Sequence, residues 1–269
     1  MRQVILPGTD ISLSRFSFGT GSRFNIASAK RAHLLAAAFD HGFTHFDTAP
    51  YYGFGIAERD LKPLLKAHPN ITVATKVGLY SPGGEAQSAA LVSLRKAAGK
   101  VLPTLSRPEA DFNVARARKA LEGSLKRLGR ERIDLYLLHE PEPQLLNTEE
   151  WLRWLESEKS RVAYFGIAVS AGRLRLFFAS GSPPWPVIQT TDSIEAREAD
   201  FLEQHMRPIQ ITYGYVRAAM RAGNMDVASV LTQALRRNRM GSVIVSTRKT
   251  ERLRQYGEIC DAADKTEAV

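Results

Sequence analysis

Cysteine is nearly absent from this chain: of 269 residues, only Cys260 is one. No disulfide can form within the chain and a thiolate metal cluster is excluded, so Cys260 reads as a small helix-facing residue and not as a nucleophile. Long hydrophobic runs are missing too. No stretch of about 18 apolar residues occurs, which argues against a transmembrane helix. The opening MRQVILPGTDISLS, broken by Pro7 and Gly8, lacks the apolar core of a secretion signal. A cytoplasmic protein without a membrane partner is expected. Metal-ligand spacing is likewise missing: the six histidines show none, and His139 stands in HEPEP, not in the HExxH of a zinc hydrolase. No metal is expected.

What is present is ordinary apolar content, 44%, and an excess of positive charge, 37 Lys and Arg against 28 Asp and Glu, or +9. The basic residues are scattered (Arg31, Lys66, Lys126, Arg153, Arg173), with denser patches at 236–239 and 248–254. No nucleic-acid-binding motif accompanies them, so a solvated basic surface is expected and no nucleic-acid partner.

Short β-branched or aromatic runs alternate with amphipathic segments along most of the chain. The runs predict strands at 15–19, 43–47, 71–76, 134–139, 162–169, 186–190, 208–213 and 242–246. Helices are predicted at 28–41, 57–67, 112–128, 148–159, 171–180, 194–204, 225–237 and 249–263. In the third of these Val114, Ala117, Leu121, Leu125 and Leu128 recur at steps of three and four. The first has Ser28 as a candidate N-cap and stops at Gly42. Mostly apolar strands alternating with helices imply a parallel sheet covered by helices. Eight units in this length with no evident linker favour a closed (β/α)8 TIM barrel over a doubly wound sheet, with residues 1–269 as one domain. The piece VILPGTDISLS, alternating around Gly8-Thr9-Asp10, predicts an N-terminal β-hairpin. The segment 78–111 is the one long interruption, and such connections are usually functional.

In barrels of this kind, chemistry sits at the C-terminal strand ends. Strand two ends in Asp47, strand three in Lys76 and strand four in His139, while Tyr52 follows Asp47 in the loop APYYGFG. These types suit delivery of a proton to a carbonyl oxygen. A tyrosine is a weak acid at neutral pH. A nearby ammonium stabilises the phenolate, and a carboxylate holds the ammonium in place. A histidine donates to the carbonyl oxygen and orients it. Tyr52 is therefore read as general acid, Lys76 as its tuner, Asp47 as the partner of Lys76 and His139 as the orienter.

The segments FDTAPYYGFGIAERDL (46–61), VATKVG (73–78), IDLYLLHEP (133–141) and GSVIVSTRKTERL (241–253) resemble the aldo-keto reductase superfamily. Asp47, Tyr52, Lys76 and His139 each match its catalytic tetrad. The resemblance implies a (β/α)8 barrel, no metal and NADPH or NADP+ lying extended across the mouth, with cofactor bound before a small-molecule carbonyl substrate. Such a protein would be a monomer or weak oligomer that reduces an aldehyde or ketone to an alcohol. A second reading is an NADPH-binding redox sensor or regulatory subunit with little turnover.

NADPH needs donors for its phosphates and cations for the 2′-phosphate. Ser246, Thr247, Arg248 and Arg252, at the end of strand eight and the start of the next helix, supply both. They also align with the family's adenosine-phosphate binders. Gly19-Thr20-Gly21 ends strand one, where missing side chains let backbone approach a ligand. The stretch GTGSRF lacks the third glycine and the later acidic partner of a Rossmann fingerprint. The resemblance places Gly19, Thr20 and Gly21 beside the nicotinamide ribose and Asp47 among the cofactor-binding residues. It also places Gln189 on the carboxamide and Tyr213 against the nicotinamide ring. Two departures stand out. Ala168 and Val169 replace the family's Ser-Asn pair, with Ser170 two positions beyond the first, and the segment after Tyr213, GYVRAAMRAGN, is short. The substrate pocket is expected to be an apolar wall of Tyr51, Phe54, Trp185 and the segment 78–111, suited to aldehydes or ketones more than to highly charged sugars.

Overall fold

All eight predicted runs form strands, and in the computed structural model they pair in chain order, all parallel, into a closed barrel. The structure describes residues 1–21, 26–146, 148–181, 185–223 and 226–267. Residues 22–24 of GTGSRF, Asn224 of GYVRAAMRAGN, and Met225, the expected first residue of a helix, lie outside them. The barrel strands are β1 (Phe16–Gly19), β2 (His45–Asp47), β3 (Thr72–Val77), β4 (Ile133–His139), β5 (Val162–Val169), β6 (Val187–Thr191), β7 (Ile211–Tyr213) and β8 (Ser242–Val245). β8 returns to β1, with Val243 opposite Phe16 and Val245 opposite Phe18.

Successive side chains of a strand point to opposite faces, and here the two faces have different jobs. Phe18, Phe46, Val73, Val77, Tyr136, Leu138, Ile167, Val169 and Ile188 join the outer core beneath the helices. Ala74, Leu135, Leu137, Ala168, Val187 and Ile211 form the inner core. The predicted N-terminal hairpin, Gln3–Ile5 against Ser12–Ser14, covers this inner core. Leu6 and Leu13 are fully buried in it with Ile11, so the hairpin closes the N-terminal end of the barrel. The next inward positions along the strands are Asp47, Lys76, His139, Gln189 and Tyr213, at the opposite end.

The helices are α1 (Ser28–Asp40), α2 (Ile56–Ala67), α3 (Ala89–Ala98), α4 (Val114–Leu128), α5 (Thr148–Ser157), α6 (Ala171–Ala179), α7 (Asp200–Gln204), α8 (Tyr215–Arg221), α9 (Val227–Arg237) and α10 (Glu251–Glu267). α4 shows why the pattern reading worked. The side chain of Asn113 accepts from the N–H groups of Ala115 and Arg116, Gly129 takes the left-handed conformation at the far end, and Val114, Ala117, Leu121 and Leu128 are buried. Three expectations need correction. Ser28 is the first residue of α1 and not its cap: Ala27 holds that position and no side chain caps it. The helix predicted over 194–204 shrinks to α7, because Ser193 Oγ accepts from Ala196 N and Asp192 Oδ1 from Ala199 N, an alternative to helical bonding. The segments 78–111 and 214–223 are not simple loops. The first is a strand pair, Leu79–Tyr80 with Glu109–Ala110, carrying α3. Gly78 makes the turn into it with φ +105, and a Cβ there would meet the Phe112 ring at 2.0 Å. The second segment contains α8.

One layer below Asp47, His45 points into the barrel, fully buried, with Nδ1 2.8 Å from Thr72 Oγ1. Burial, helped by the charge of Lys76, lowers its pKa from 6.5 to about 3. Between those values the unfolded chain binds a proton that the folded one refuses. This contribution to stability is complete above pH 6.5 and is lost as the pH falls below it. Urea unfolding at a series of pH values should therefore show His45 weakening the fold by up to about 1.4 kcal/mol per pH unit on acidification. His45→Gln should flatten that slope by about one proton; an unchanged slope would refute the assignment.

Candidate active site

Asp47 and Lys76 are neighbours in the barrel because β2 pairs with β3, and both belong to the ring of inward strand ends. Lys76 Nζ donates to Asp47 Oδ2 at 2.6 Å and to the Thr48 carbonyl at 2.9 Å. Their side chains are only 1% and 5% exposed, so neither charge has bulk water to solvate it and each depends on the other. Burial lowers the pKa of Lys76 from its usual value, and the Asp47 carboxylate opposes that fall.

Tyr52 reaches the same place from the turn before α2. Lys76 Nζ lies 5.1 Å from the centre of its ring, and the His139 ring meets it edge-on with centroids 5.8 Å apart. Burial, then the carboxylates of Asp47 and Glu140, push the Tyr52 phenol well above its ordinary pKa. This departs from a phenol tuned downward by Lys76, since the ammonium is already matched by Asp47. Burial and the Lys76 charge hold His139 well below 6.5, so its imidazole is neutral at neutral pH.

Asp47, Tyr52, Lys76 and His139 line one cavity of about 950 Å³, together with Gly19, Gly21, Ala168, Gln189, Tyr213 and Ser246. At Gly19, which pairs with Asp47, an added Cβ would come 2.9 Å from Ile244 Cγ2, so the missing side chain keeps this wall open. Other expected residues lie elsewhere. Thr20 is buried, with its hydroxyl donating to Thr48 Oγ1 at 2.9 Å. Thr247 Oγ1 closes a turn by donating to the Lys249 carbonyl. Arg252 is exposed in the first turn of α10, where its charge opposes the rise that burial gives the Tyr256 phenol. Arg248 lines a second cavity of about 930 Å³ on the other side of Tyr52.

That second cavity corrects the expected apolar wall. Tyr51 and α3 do line it, but so do the cations Lys96, Lys100 and Arg248. Phe54 is fully buried against Ile56 and Val92, with Lys96 Nζ 5.8 Å from its ring centre. Trp185 precedes β6 and is buried in the outer core at the closed end of the barrel, remote from this mouth.

The sequence reading missed two features. α8 turns back over the mouth and brings Arg217 and Arg221, four residues apart on one helix, to the larger cavity. That spacing was visible, but the helix carrying it was not. Glu140, immediately after His139, also lines the cavity, with its backbone in the left-handed region at φ +50. Among the described residues, Gln189 Oε1 is buried without a hydrogen-bond partner, although Gln189 is only 4% exposed. An orphaned acceptor here fits a ligand that brings a donor, and Arg217, Arg221 and Ser246 fit an anionic portion beyond it. No group of three or more metal-ligating side chains occurs among the described residues, and no helix there is long and apolar enough to cross a membrane.

Comparison with known proteins agrees with the fold. Residues 15–189 match the model of the aldo/keto reductase family. The chain is 38% identical to D-threo-aldose 1-dehydrogenase of a Pseudomonas species over 112 residues, 40% of this chain and 33% of that protein. It is 29% identical to 6-dehydroglucose reductase of Agrobacterium fabrum over 182 residues, 65% of this chain and 52% of that protein. The chain thus spans a third to a half of the length of these curated relatives. In structure it resembles an aldo-keto reductase from Klebsiella pneumoniae in complex with NADPH. The TM-score is 0.64 at 17% identity, covering 97% of this chain and 90% of that one. The family match ends at Gln189, so Tyr213 and the segment 246–252 lie outside it.

Lys76→Met alone should cost about 3–5 kcal/mol of stability, because it strands the Asp47 carboxylate in the barrel. Adding Asp47→Asn should recover most of that loss. Denaturant titration of the single and double variants checks this, and a double variant as unstable as the sum of the singles would show that the two charges act independently.

Proposed function

The chain belongs to the aldo/keto reductase family, and on that premise we propose that it is an NADPH-dependent oxidoreductase reducing an aldehyde or ketone to an alcohol. The observation carrying this reading is that Tyr52, edge-on to His139 and beside Lys76, faces the same cavity as Gln189 and Tyr213. The structural neighbour in complex with NADPH supports the choice of cofactor.

When bound, NADPH supplies a hydride for the carbonyl carbon. Gln189, Tyr213 and Gly19 would hold its nicotinamide end, and Ser246, Arg217 and Arg221, with Arg248 beyond, its phosphates. His139, neutral, donates an N–H to the carbonyl oxygen and fixes its direction. Tyr52, held protonated by its surroundings, gives its phenolic proton to that oxygen as negative charge develops there. Lys76 then provides a positive charge beside the phenolate left behind, while Asp47 keeps the ammonium in place. The names of the two curated relatives point to hydroxylated carbonyl compounds as the first substrates to try.

NADPH binding followed by fluorescence, then its oxidation followed by absorbance with aldehydes, ketones and aldoses, tests the reading directly. Binding with oxidation on a member of the panel is expected. Binding without turnover across the panel would instead favour a redox sensor, and no binding would remove the proposal. Tyr52→Phe should reduce turnover by at least about 100-fold while leaving NADPH affinity within about twofold. Loss of both together would mean that Tyr52 serves cofactor binding and not proton transfer.

A further inference from the structure

Strand register sets His139, Ala168 and Gln189 side by side on β4, β5 and β6. Ala168, in the middle, offers the cavity only a methyl group. The polar groups flanking it are Gln189 on one side and, one residue beyond His139, Glu140 on the other.

The backbone of Glu140 is held in an unusual shape. Its φ of +50 lies in the left-handed region, which a residue with a Cβ enters at a cost of about 1–2 kcal/mol. Glu140 N donates to the Ala168 carbonyl at 2.8 Å, and Arg173 Nη1 donates to the Glu140 carbonyl. These contacts hold the side chain over β5 and not outward along the rim. Carboxylate oxygen Oε2 accepts from Ser170 N at 3.2 Å and Ser170 Oγ at 3.3 Å, with Arg173 Nε at 3.5 Å. Among the described residues, oxygen Oε1 accepts only a long bond, 3.3 Å, from the Tyr213 hydroxyl. A carboxylate has about four acceptor positions, so Oε1 retains capacity on the cavity side. Across Ala168, the buried Gln189 Oε1 lacks any partner among the described residues. Two acceptors therefore flank a bare methyl group beside the proposed proton donor, and a polar buried acceptor is normally satisfied.

We propose that Glu140 adds a second acceptor beside Gln189 for an N–H or O–H donor of a bound molecule, and so acts as a positioning residue. The inference rests on the cofactor reading above. The nicotinamide carboxamide, with two N–H bonds on one nitrogen, and a hydroxyl next to the substrate carbonyl share this donor chemistry. Either would be oriented with respect to His139 and Tyr52.

The test uses two matched pairs of ligands. NADPH is compared with its 3-acetylpyridine analogue, which keeps the carbonyl and lacks the N–H bonds. Glyceraldehyde is compared with propanal, which lacks the hydroxyls. Dissociation constants and kcat/KM are measured for the wild type, Glu140→Ala and the similarly sized Glu140→Gln, with thermal melting to establish that both variants fold. If the carboxamide is the donor, Glu140→Ala weakens NADPH about tenfold and leaves the analogue within about twofold. If the substrate hydroxyl is the donor, cofactor binding is unchanged and kcat/KM falls about tenfold for glyceraldehyde but not for propanal. Equal effects on both members of each pair, or no effect, overturn this role of Glu140. A wild type that binds no NADPH removes the cofactor reading and that role with it, and that failure is visible before any variant is made.

Discussion

The alternation of side chains along eight short parallel strands governs everything that follows in this molecule. Each strand has room for only a few inward residues, because its outward ones are committed to the layer beneath the helices. With the lower inward positions filled largely by Ala74, Leu135, Leu137, Val187 and Ile211 and sealed by the hairpin, the polar groups below the top are bonded to one another, as His45 is to Thr72 and Ser17 to Ser242, and the cavity-lining ones gather at the open end. A one-residue slip of β3 would send Lys76 under the helices and turn Thr75, whose hydroxyl bonds the buried Glu58 of α2 at 2.7 Å, into the barrel. Register and chemistry are thus one constraint.

The electrostatics follow from that confinement. Asp47 and Lys76 are close enough to neutralise one another, which leaves little positive field to acidify the Tyr52 phenol. The carboxylate of Glu140 pushes it the other way. The arrangement keeps Tyr52 protonated and His139 neutral, both lining the same cavity. Negative charge appearing there during a reaction would draw on both, whereas an anion already present in the ground state would meet Glu140 and Asp47.

The strands were readable from sequence because runs such as VAYFGIAV and SVIVS combine β propensity with flanking helical periodicity, and the barrel follows from their number and order. The inward strand-end residues were readable for the same reason: a polar residue that closes an apolar run has few other places to go. What escaped depended on contacts between distant segments. The helical pattern at 194–204 gave way to side-chain bonds from Asp192 and Ser193. α3 and α8 are short and partly exposed, so their periodicity is weak. Trp185, a large aromatic before a strand, looks the same in sequence at either end of a barrel, and only the observed placement puts it at the closed end. Glu140 is placed at the cavity by a left-handed backbone and partners on β5 and β7, neither of which local pattern reveals.

The closure between β8 and β1 has a further consequence, for how the chain folds. Ser17 Oγ and Ser242 Oγ meet at 2.6 Å across 225 residues of sequence, and Val243 must find Phe16 before the cylinder exists. During synthesis the leucines of the hairpin emerge before the barrel strands, yet the inner core they cover is supplied by strands as late as β7. Ile211 is one of its members. Such long-range closure makes folding slow and leaves apolar surface uncovered while the ribosome works. A ribosome-stalled chain ending before β8 would have an unpaired β1 edge, a site at which chaperones or a second nascent chain could bind.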